Sequence, residues 1–344
     1  MKIALVAPIE EAVPPRTYGG IERIVHLLDC GLASRGHDVI LLASGGSKSM
    51  GRLIPLSNAP LRGDARDVDA DELIMRKDAA ARLAASMIAE TAPDVVLNHS
   101  WRLLDHLASP SRPVLTTIHY PLDTTPYRSV FLARSRASYV SVSWSQQRAL
   151  SLLRFAGNVY NGIDLDELPF SAQAQGYLAY LGRASPDKGL DIAIRVAQQA
   201  GLPLRIAAKL DHGQRRWFDD VVVPLARRGG VEFVGEVDAT ARAAFLGGAT
   251  AMLHPSRWSE PFGLAAVEAM ACGTPVVALR RGAAEEVIAH GITGFVADEE
   301  SDLADLAMRA HELDRAACRA HVEKRFSHTR MVTEYEKLAR EGEL

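Results

Sequence analysis

The sequence predicts an α/β protein built from two doubly wound domains, and three observations lead to this prediction. Short apolar runs recur along the chain, amphipathic stretches with helical spacing separate many of them, and the pattern restarts after a polar linker at residues 161–176. Apolar runs without clean alternation are typical of parallel strands that are covered on both faces. Their alternation with helices indicates parallel sheets with helices packed on both sides.

The first half of the chain contains five runs with the character of buried strands. Between the first two of them, residues 18–35 carry an apolar stripe at helical spacing that ends at Gly36, and residues 73–91 form a second amphipathic stretch. These features predict strands separated by helices. The predicted strands are KIALVAP at the N-terminus and residues 38–44, 94–100, 113–119 and 139–144.

The second half repeats this organisation. The linker predicts a first domain over residues 1–172 and a second over 173–327, with a C-terminal helix, 328–344, that packs back on the first domain. Two such domains imply a cleft faced by the carboxyl ends of both sheets. The predicted strands of the second half are residues 176–182, 204–210, 231–237, 249–255 and 274–279, and the predicted helices are 187–200, 211–229, 238–247 and 262–271.

Length and composition limit the classes of protein that fit. A chain of 344 residues is long enough for two cores, and 48% hydrophobic with 24% charged residues is typical of a soluble globular protein. The net charge of −3 argues against nucleic acid as the main partner. The three cysteines are widely spaced, which predicts reduced thiols. The N-terminus is strand-like and no run of about 20 apolar residues occurs, so we expect a cytoplasmic protein.

The segment SEPFGLAAVEAMACGTPVVAL, residues 259–279, carries the strongest chemical signal. It follows a predicted strand and is expected to enter a helix near Phe262, which places the amides of Phe262, Gly263 and Leu264 where a phosphate is attracted. Glu260 precedes this helix and Glu268 lies inside it among apolar residues. Either acid alone has a plain explanation as a solvated residue, but a carboxylate within an apolar helix requires a partner. A binding role is therefore favoured.

Glu-x7-Glu within E-P-F-G-L-x3-E-A-M-A-x-G-T-P-V-V resembles the signature of glycosyltransferase family 4. This resemblance implies the GT-B architecture, in which two Rossmann-like doubly wound domains face each other across a cleft. It further implies that Glu260 contacts hydroxyls of the transferred sugar and that Glu268 binds the ribose hydroxyls of a nucleotide donor.

A second motif, LGRASPDKG at residues 181–189, ends one predicted strand and opens a helix. Arg183 and Lys188 in this segment have the charge needed to neutralise a diphosphate, although a solvated basic loop is the commoner fate of such residues. The motif is similar to the family's G-R-x4-K-G phosphate clamp, which favours the functional interpretation. Lys209, at the end of the next strand, is a further candidate for the same charge.

The first domain contributes a glycine pair and two histidines. Gly19 and Gly20 lie in PPRTYGGIER, between a strand and a helix, and resemble the family's Y-G-G-x-E loop. His119 and His99 each end a predicted strand, where a structural histidine is the usual case and a site residue the alternative. The resemblance assigns His119 as the active-site histidine beside the donor sugar and gives His99 a more variable position.

Four further features carry weaker signals. Asn161 in NGID resembles a family turn, and Glu286 resembles a recurrent donor-side glutamate, but a plain turn and a helix-start acid fit nearly as well. Asp67-x-Asp69 has the form of a metal-binding D-x-D, yet no strand precedes it, so a solvated loop is favoured and no metal is predicted. The basic residues of helix 73–90 are interspersed with acids, which favours core packing over docking on a membrane surface.

The resemblance implies a retaining hexosyltransferase-type enzyme with a front-face mechanism, and we expect it to need neither a metal nor a cofactor. Its partners are expected to be a nucleotide-diphospho-sugar, with a UDP-sugar favoured and GDP-mannose as the alternative, and a glycan, glycolipid or small-molecule acceptor. Two alternatives stay open at this point. One is a nucleotide-sugar epimerase or hydrolase of the same fold, and the other is a non-catalytic nucleotide-sugar-binding protein.

Overall fold

The computed structural model describes residues 1–64, 69–107 and 112–341, which form two compact units. The first unit comprises Met1–Gly162 together with the C-terminal segment that begins at His328, and the second comprises Ile163–Ser327. The first unit ends inside the segment 161–176 that the sequence indicated as a linker, about ten residues before the boundary assigned there.

The first unit contains a seven-stranded sheet in which every pair of neighbouring strands is parallel. Its strand order is β3-β2-β1-β4-β5-β6-β7, so the chain moves outward from β1 to one edge and then returns beside β1 as β4. The strands are β1 Lys2–Val6, β2 Asp38–Ser44, β3 Arg52–Ser57, β4 Val95–Asn98, β5 Val114–Thr117, β6 Ser138–Ser141 and β7 Phe155–Asn158.

Helices cover both faces of this sheet because the central strands carry apolar side chains on both sides. Every residue of β4 is buried, and the buried faces of β1 and β2 pack with α3 in one continuous apolar cluster. The helices between these strands are α1 Gly20–Ser34, α2 Leu61–Asp64, α3 Ala70–Thr91, α4 Tyr127–Leu132 and α5 Trp144–Ala149, with a 3₁₀ turn at Trp101–Asp105.

The second unit repeats this design with six parallel strands in the order β10-β9-β8-β11-β12-β13. Here the chain moves outward from β8 and returns beside it as β11. The strands are β8 Tyr177–Arg183, β9 Leu204–Lys209, β10 Val231–Gly235, β11 Ala249–His254, β12 Val276–Leu279 and β13 Gly294–Ala297. The helices are α6 Leu190–Ala200, α7 Arg215–Trp217, α8 Val223–Ala226, α9 Ala239–Gly247, α10 Leu264–Ala271, α11 Ala284–Val287, α12 Leu303–Arg309 and α13 Arg315–Arg325.

The helix expected over residues 211–229 is broken into short pieces. A 3₁₀ turn at His212–Gln214 leads into α7, and a π-helical turn at Phe218–Val222 separates α7 from α8. Pro224 lies in the first turn of α8, and since it has no amide hydrogen the regular α ladder cannot pass through it. The expectation of one continuous helix here was therefore wrong.

The sequence interpretation missed three strands, β3, β7 and β13, and all three lie at sheet edges. An edge strand has a neighbour on one side only, and both β3 and β7 are partly exposed. Their apolar signal is correspondingly weak. β13 is buried, but its four residues are too few to show a period.

The last helix, α14 His328–Glu341, packs against α1 in the first unit. Gly31 of α1 allows this close approach, since a Cβ there would lie 2.5 Å from Val332. Arg35 and His37 both bind the carboxylate of Glu336, at 2.8 and 3.1 Å. The helix thereby brings Tyr335, which is fully buried, into the first unit.

Candidate functional site

The site residues of the second unit gather where its strand order reverses, between β8 and β11. Loops that follow two such strands diverge to opposite faces of the sheet, which leaves a crevice at the carboxyl end of the sheet. Arg183 ends β8, and Lys188 lies in the 3₁₀ turn Pro186–Lys188 that follows. Glu260 lies in the loop after β11. Lys209 ends β9 and is the register partner of Arg183, so the structure brings these four predicted residues to one edge.

Glu260 is the most tightly held of these residues. Its Oε2 atom accepts hydrogen bonds from Lys188 Nζ at 2.5 Å, from Trp258 Nε1 at 2.8 Å and from Ser256 Oγ at 3.3 Å. Burial acts to raise the pKa of Glu260, but the charge of Lys188, the electrostatic interaction with His254 and the hydrogen bonds from Lys188 and Trp258 together lower the pKa to about 2. The carboxylate is therefore ionised, and in the described part of the chain these bonds all meet at Oε2, which leaves Oε1 for a ligand.

The backbone of Glu260 is fixed by a close approach from the segment after β12. A Cβ at Gly282 would lie 2.2 Å from the carbonyl oxygen of Glu260 and 2.4 Å from its nitrogen, and the φ of +58° also favours glycine. Ala283 donates its amide to the Glu260 carbonyl at 2.9 Å. The position of the carboxylate thus depends on a glycine 22 residues away in the sequence.

Trp258 joins the two cations to Glu260. Its ring lies 4.4 Å from Lys188 Nζ and 5.6 Å from the guanidinium carbon of Arg183, while its Nε1 donates to Glu260. Arg183 also pairs with Asp187 at 2.9 Å. The result is a half-buried group in which two positive charges are held beside the carboxylates of Glu260 and Asp187.

Arg257 ties the loop after β11 to the loop after β8. Its guanidinium binds the Asp191 carboxylate through two bonds of 2.7 and 2.8 Å, and its amide donates to the Asp187 carbonyl at 2.8 Å. Burial acts to raise the pKa of Asp191, but Arg257 and Arg195 together lower it. This bidentate pair holds the two segments that carry Lys188 and Glu260 in a fixed relation.

Glu268 is buried on α10, and its Oε1 lies 3.6 Å from Nε of Arg242, an equally buried residue of α9. The expectation that an acid within an apolar helix requires a partner is met by this pair. The sequence did not indicate Arg242 as the partner of Glu268, because the two residues are far apart along the chain and no regular spacing relates them.

The start of α10 differs from the expectation. The helix begins at Leu264, so Phe262 and Gly263 precede it, and Gly263 has the left-handed backbone of the residue before the helix. Phe262 is buried against Phe326, with ring centroids 5.5 Å apart. The amide of Ala266 already donates to the Gly263 carbonyl. The helix amides that remain for an anion at this terminus are therefore those of Leu264 and Ala265. The helix thus begins two residues after Phe262, near which its start was expected.

Glu286 lies in α11, a helix of only four residues, and is half-buried. Its carbonyl accepts a bond of 2.9 Å from Arg325. Its assignment to the donor side stays a prediction.

In the first unit, His99 follows β4 and His119 follows β5, on neighbouring strands of the sheet. Their rings stack at 5.2 Å, and Nδ1 of His99 lies 2.9 Å from Nε2 of His119, so one of these nitrogens donates a proton to the other. Burial lowers the pKa of both, that of His119 to about 3. Both imidazoles are therefore neutral, and Tyr335 packs beside His99 at 6.0 Å.

Gly19 and Gly20 lie where the loop after β1 enters α1. Gly19 has a φ of +147°, and a Cβ there would lie 2.7 Å from the Pro15 side chain, so this turn requires glycine. Beside it lies Glu22, which is 4% exposed. Burial raises the pKa of Glu22 to about 7, and the nearby charge of Glu10 acts in the same direction.

Asn161 is buried near the end of the first unit, and its Oδ1 has no hydrogen-bond partner among the residues that the structure describes. Asp67 of the D-x-D sequence lies outside those residues. Within them no cluster of three His, Cys, Asp or Glu side chains has the arrangement of a metal site.

The basic residues of α3 are engaged in ion pairs rather than presented as a basic face. Arg76 pairs with Glu72, Arg82 with Asp78, and Lys77 with Glu10. In residues 1–64, 69–107 and 112–341, no helix is both long and apolar enough to cross a bilayer.

Sequence reasoning missed Trp258, Ser256, Arg242 and Glu22 as parts of these sites. Trp258 stands two residues before Glu260, and a tryptophan in a polar loop was the available signal for it. The sequence showed Glu22 as the acid of the Y-G-G-x-E loop, but it did not indicate that this side chain is buried.

Two family models match consecutive parts of this chain. The model described as "Glycosyltransferase Family 4" matches residues 18–167, and the model described as "Glycosyl transferases group 1" matches residues 169–322. Together they cover both units almost completely.

Curated relatives match over most of the chain. A protein named "Glycogen synthase" from Mycobacterium tuberculosis (strain CDC 1551 / Oshkosh) is 29% identical over 343 residues, which cover 86% of this chain and 82% of the relative. A "Phosphatidyl-myo-inositol mannosyltransferase" from Mycobacterium leprae (strain TN) is 27% identical over 352 residues, with 89% and 86% covered.

A solved structure of Anabaena Alr3699/HepE in complex with UDP and glucose is similar at a TM-score of 0.73 and 18% identity, with 99% of this chain and 100% of that chain covered. At this identity the likeness shows a shared fold.

Proposed function

The chain belongs to glycosyltransferase family 4, with the GT-B fold, and is a glycosyltransferase; from this premise we propose that it transfers a sugar from a nucleotide-diphospho-sugar to an acceptor hydroxyl with retention of configuration. The observation that carries the proposal is the group of Arg183, Lys188 and Trp258 around the ionised carboxylate of Glu260. Such a group offers positive charge to a phosphate and an acceptor to a sugar hydroxyl within a few ångströms.

The chemical step that we propose is a substitution at the anomeric carbon. The bond between this carbon and the diphosphate oxygen breaks, and its electron pair leaves with the nucleoside diphosphate. The acceptor hydroxyl forms the new bond on the same face, and its proton passes to the departing diphosphate. Arg183 and Lys188 stabilise the negative charge that develops on the leaving group, and Lys209 adds charge at the same edge.

Two carboxylates take the binding roles in this proposal. Glu260 accepts a hydrogen bond from the transferred sugar through Oε1, because Oε2 is already engaged with Lys188 and Trp258. Glu268 binds the ribose hydroxyls, and its pairing with Arg242 at 3.6 Å holds it in one orientation. The amides of Leu264 and Ala265 at the start of α10 bind the diphosphate.

The first unit contributes the Gly19–Gly20 turn and His119 to the same reaction in this proposal. A neutral imidazole donates or accepts one hydrogen bond without adding charge, which suits a group that positions sugar hydroxyls. Two cations already supply the charge that the leaving group requires, so no metal ion is assigned a role.

A UDP-sugar is the proposed donor, and GDP-mannose is the alternative. The similar HepE structure contains UDP and glucose, whereas the relative from M. leprae is named a mannosyltransferase. A cytoplasmic location is part of the proposal. It is supported by Cys272 and Cys318, buried thiols without a disulfide in the described chain, whose pKa burial raises to about 12.

The test has two stages. In the first, UDP, GDP and ADP are titrated calorimetrically into the parent protein, into Glu268→Gln, and into Glu323→Gln, which changes an exposed acid of α13. We expect one nucleotide to bind the parent and the control equally and to bind Glu268→Gln at least about tenfold more weakly. Equal binding by all three proteins would contradict the role of Glu268, and circular dichroism checks that each variant is folded.

In the second stage, the protein is incubated with UDP-glucose, UDP-galactose, GDP-mannose and ADP-glucose, and released nucleoside diphosphate is measured. Slow release from one donor is expected, because water replaces the absent acceptor. Conversion of a donor to its epimer would identify an epimerase instead, and tight binding with every donor intact would indicate a non-catalytic binding protein.

A further inference from the structure

A histidine lies beside the Glu260 carboxylate and takes no part in the chemistry proposed above. His254 is the last residue of β11 and the register partner of Ala278 in β12, so its backbone is fixed within the sheet. Its Nε2 atom is buried, and among all the described groups of the chain it has no hydrogen-bond partner. A buried polar atom without a partner is rare in a folded protein, because its desolvation is costly.

The Nε2 atom of His254 faces the oxygen of Glu260 on which the other bonds meet. It lies 3.9 Å from Oε2, about 1 Å beyond the distance of a hydrogen bond. Burial lowers the pKa of His254, and the charge of Lys188 acts in the same direction, so the imidazole is neutral. The nearby carboxylate favours the tautomer with the proton on Nε2. His254 is thus a hydrogen-bond donor that points at Glu260 without reaching it.

The space beside these two side chains is left open by Gly263. A Cβ at this position would lie 3.5 Å from Nε2 of His254 and 3.7 Å from Cγ of Glu260, so a volume of one methyl group borders both. The φ of +93° favours glycine there. A shift of the carboxylate by about 1 Å toward His254 therefore meets no side chain of Gly263 and completes a hydrogen bond.

The present partner of Glu260 is the cation that a diphosphate would attract. Lys188 Nζ lies 2.5 Å from Oε2, and the proposed function requires the same ammonium to neutralise the leaving group. Because two anions beside one ammonium repel each other, a diphosphate that binds Lys188 weakens its bond to Glu260. Trp258 and Ser256 still donate to Oε2, at 2.8 and 3.3 Å, but one donor is lost at a buried carboxylate, which is costly unless another replaces it.

We propose that His254 replaces Lys188 as a hydrogen-bond donor to Glu260 when the diphosphate binds, and that it thereby acts as a positioning residue. The inference rests on the proposed function and names a further residue of the same site. The Nε2–H group donates to Oε2, which leaves Oε1 directed at the transferred sugar, and His254 itself does not contact the sugar. Trp258, Ser256 and His254 then hold the carboxylate ionised without a cation, since two or three donated hydrogen bonds stabilise a buried carboxylate.

The first test observes the imidazole directly by ¹H–¹⁵N NMR of protein labelled at histidine. The signal of His254 is identified as the one that His254→Gln lacks. We expect its Nε2–H proton to move to lower field when nucleoside diphosphate is added to the parent. Lys188→Met, which removes the ammonium and keeps the length of the side chain, should show the shifted signal without any nucleotide. A signal that stays unchanged in Lys188→Met would overturn the proposal.

The second test measures nucleoside diphosphate binding by calorimetry. We expect binding to weaken about tenfold in His254→Leu, because the displaced carboxylate then lacks its new donor. His254→Gln, whose amide nitrogen lies near the position of Nε2, should restore most of this loss. The control is His311→Leu, which changes an exposed histidine of the second unit and should bind as the parent does. Parental binding by His254→Leu would contradict the proposal.

A double-mutant cycle with Glu260→Ala separates positioning from direct contact. If His254 acts through Glu260, His254→Leu has no further effect in the Glu260→Ala background, whereas the same tenfold loss in both backgrounds would overturn the proposal. A parent protein that binds no nucleoside diphosphate would contradict the transferase function instead. The NMR comparison of the parent with Lys188→Met still decides the role of His254 in that case, and also if circular dichroism shows that His254→Leu does not fold.

Discussion

The two units bury a carboxylate near the corresponding reversal of strand order, yet they control its charge in opposite ways. In the second unit Lys188 lies 2.5 Å from Glu260, and the pKa of this acid falls to about 2 although burial acts to raise it. In the first unit burial raises the pKa of Glu22 to about 7, and the charges of Glu10 and Glu11 act in the same direction. The comparison shows that burial raises the pKa of an acid unless a close cation compensates for the lost water.

The same contrast extends to the neighbouring groups. Glu260 lies among Arg183, Lys188 and Trp258, so charge is concentrated there. The first unit instead places two neutral imidazoles, His99 and His119, at its strand ends. A charged half suits an anionic diphosphate, and a neutral half suits the hydroxyls of a sugar, which is why we assign the leaving group to the second unit.

Lys188→Met should give the largest effect, because it removes the cation that pairs with Glu260 and that we propose neutralises the leaving group. We expect kcat for nucleoside diphosphate release to fall on the order of 10³-fold, about 4 kcal/mol. The control is Lys324→Met, which changes an exposed lysine of α13 in the same unit. A parental rate in Lys188→Met would break the comparison, since the charged half would then have no catalytic role.

Glu22→Gln tests whether the buried Glu22 side chain is uncharged in the folded protein, and the quantity measured is the free energy of unfolding. The folded pKa of about 7 lies above the reference value of 4.5, so the protonated folded form is favoured and stability falls as pH rises from 4.5 through 7. This loss amounts to about 3 kcal/mol and should be absent in Glu22→Gln. Urea unfolding of both proteins at pH 5 and pH 8 measures it. The same pH dependence in both proteins would show that Glu22 is ionised in the fold.

His119→Ala sharpens the neutral half of the comparison. We expect kcat to fall about 10²-fold, or ~2.7 kcal/mol, since one positioned hydrogen bond to the sugar is lost. The parent's rate should also show no imidazole limb between pH 5 and 8, because burial lowers the pKa of His119 to about 3. A limb near pH 6.5 that disappears in His119→Ala would demonstrate a solvated histidine and contradict this interpretation.

Trp258→Phe should give the smallest effect. Phenylalanine keeps a ring beside Lys188 but removes the bond of 2.8 Å to Glu260. We expect kcat/KM to fall about tenfold, or ~1.4 kcal/mol. Trp144→Phe, at an exposed tryptophan of the first unit, is the matched control. A loss as large as that of Lys188→Met would mean that the indole contacts the substrate itself.

Most of the fold was predictable from local sequence signals. The strands β1, β2, β4, β8 and β11 and the helices α1, α3 and α10 follow from apolar runs and helical spacing, because central strands of a parallel sheet are buried on both faces. The edge strands β3 and β7 were missed because exposure weakens their apolar signal, although the equally exposed edge strand β10 was predicted. The interruption before α8 depends on Pro224, whose local effect was overlooked.

The sequence also singled out Glu260, Glu268, Arg183 and Lys188 as candidates for a donor site, because they stand in motifs with fixed spacing. By itself the sequence thus determined the residue types, their order and the strand ends at which they stand. Tertiary structure alone decided their charge states and partners. The pairs Lys188–Glu260, Arg242–Glu268 and Lys77–Glu10 join residues that are distant along the chain. A pKa depends on burial and on the nearest charge, and both are set by packing between segments rather than by neighbours in the sequence.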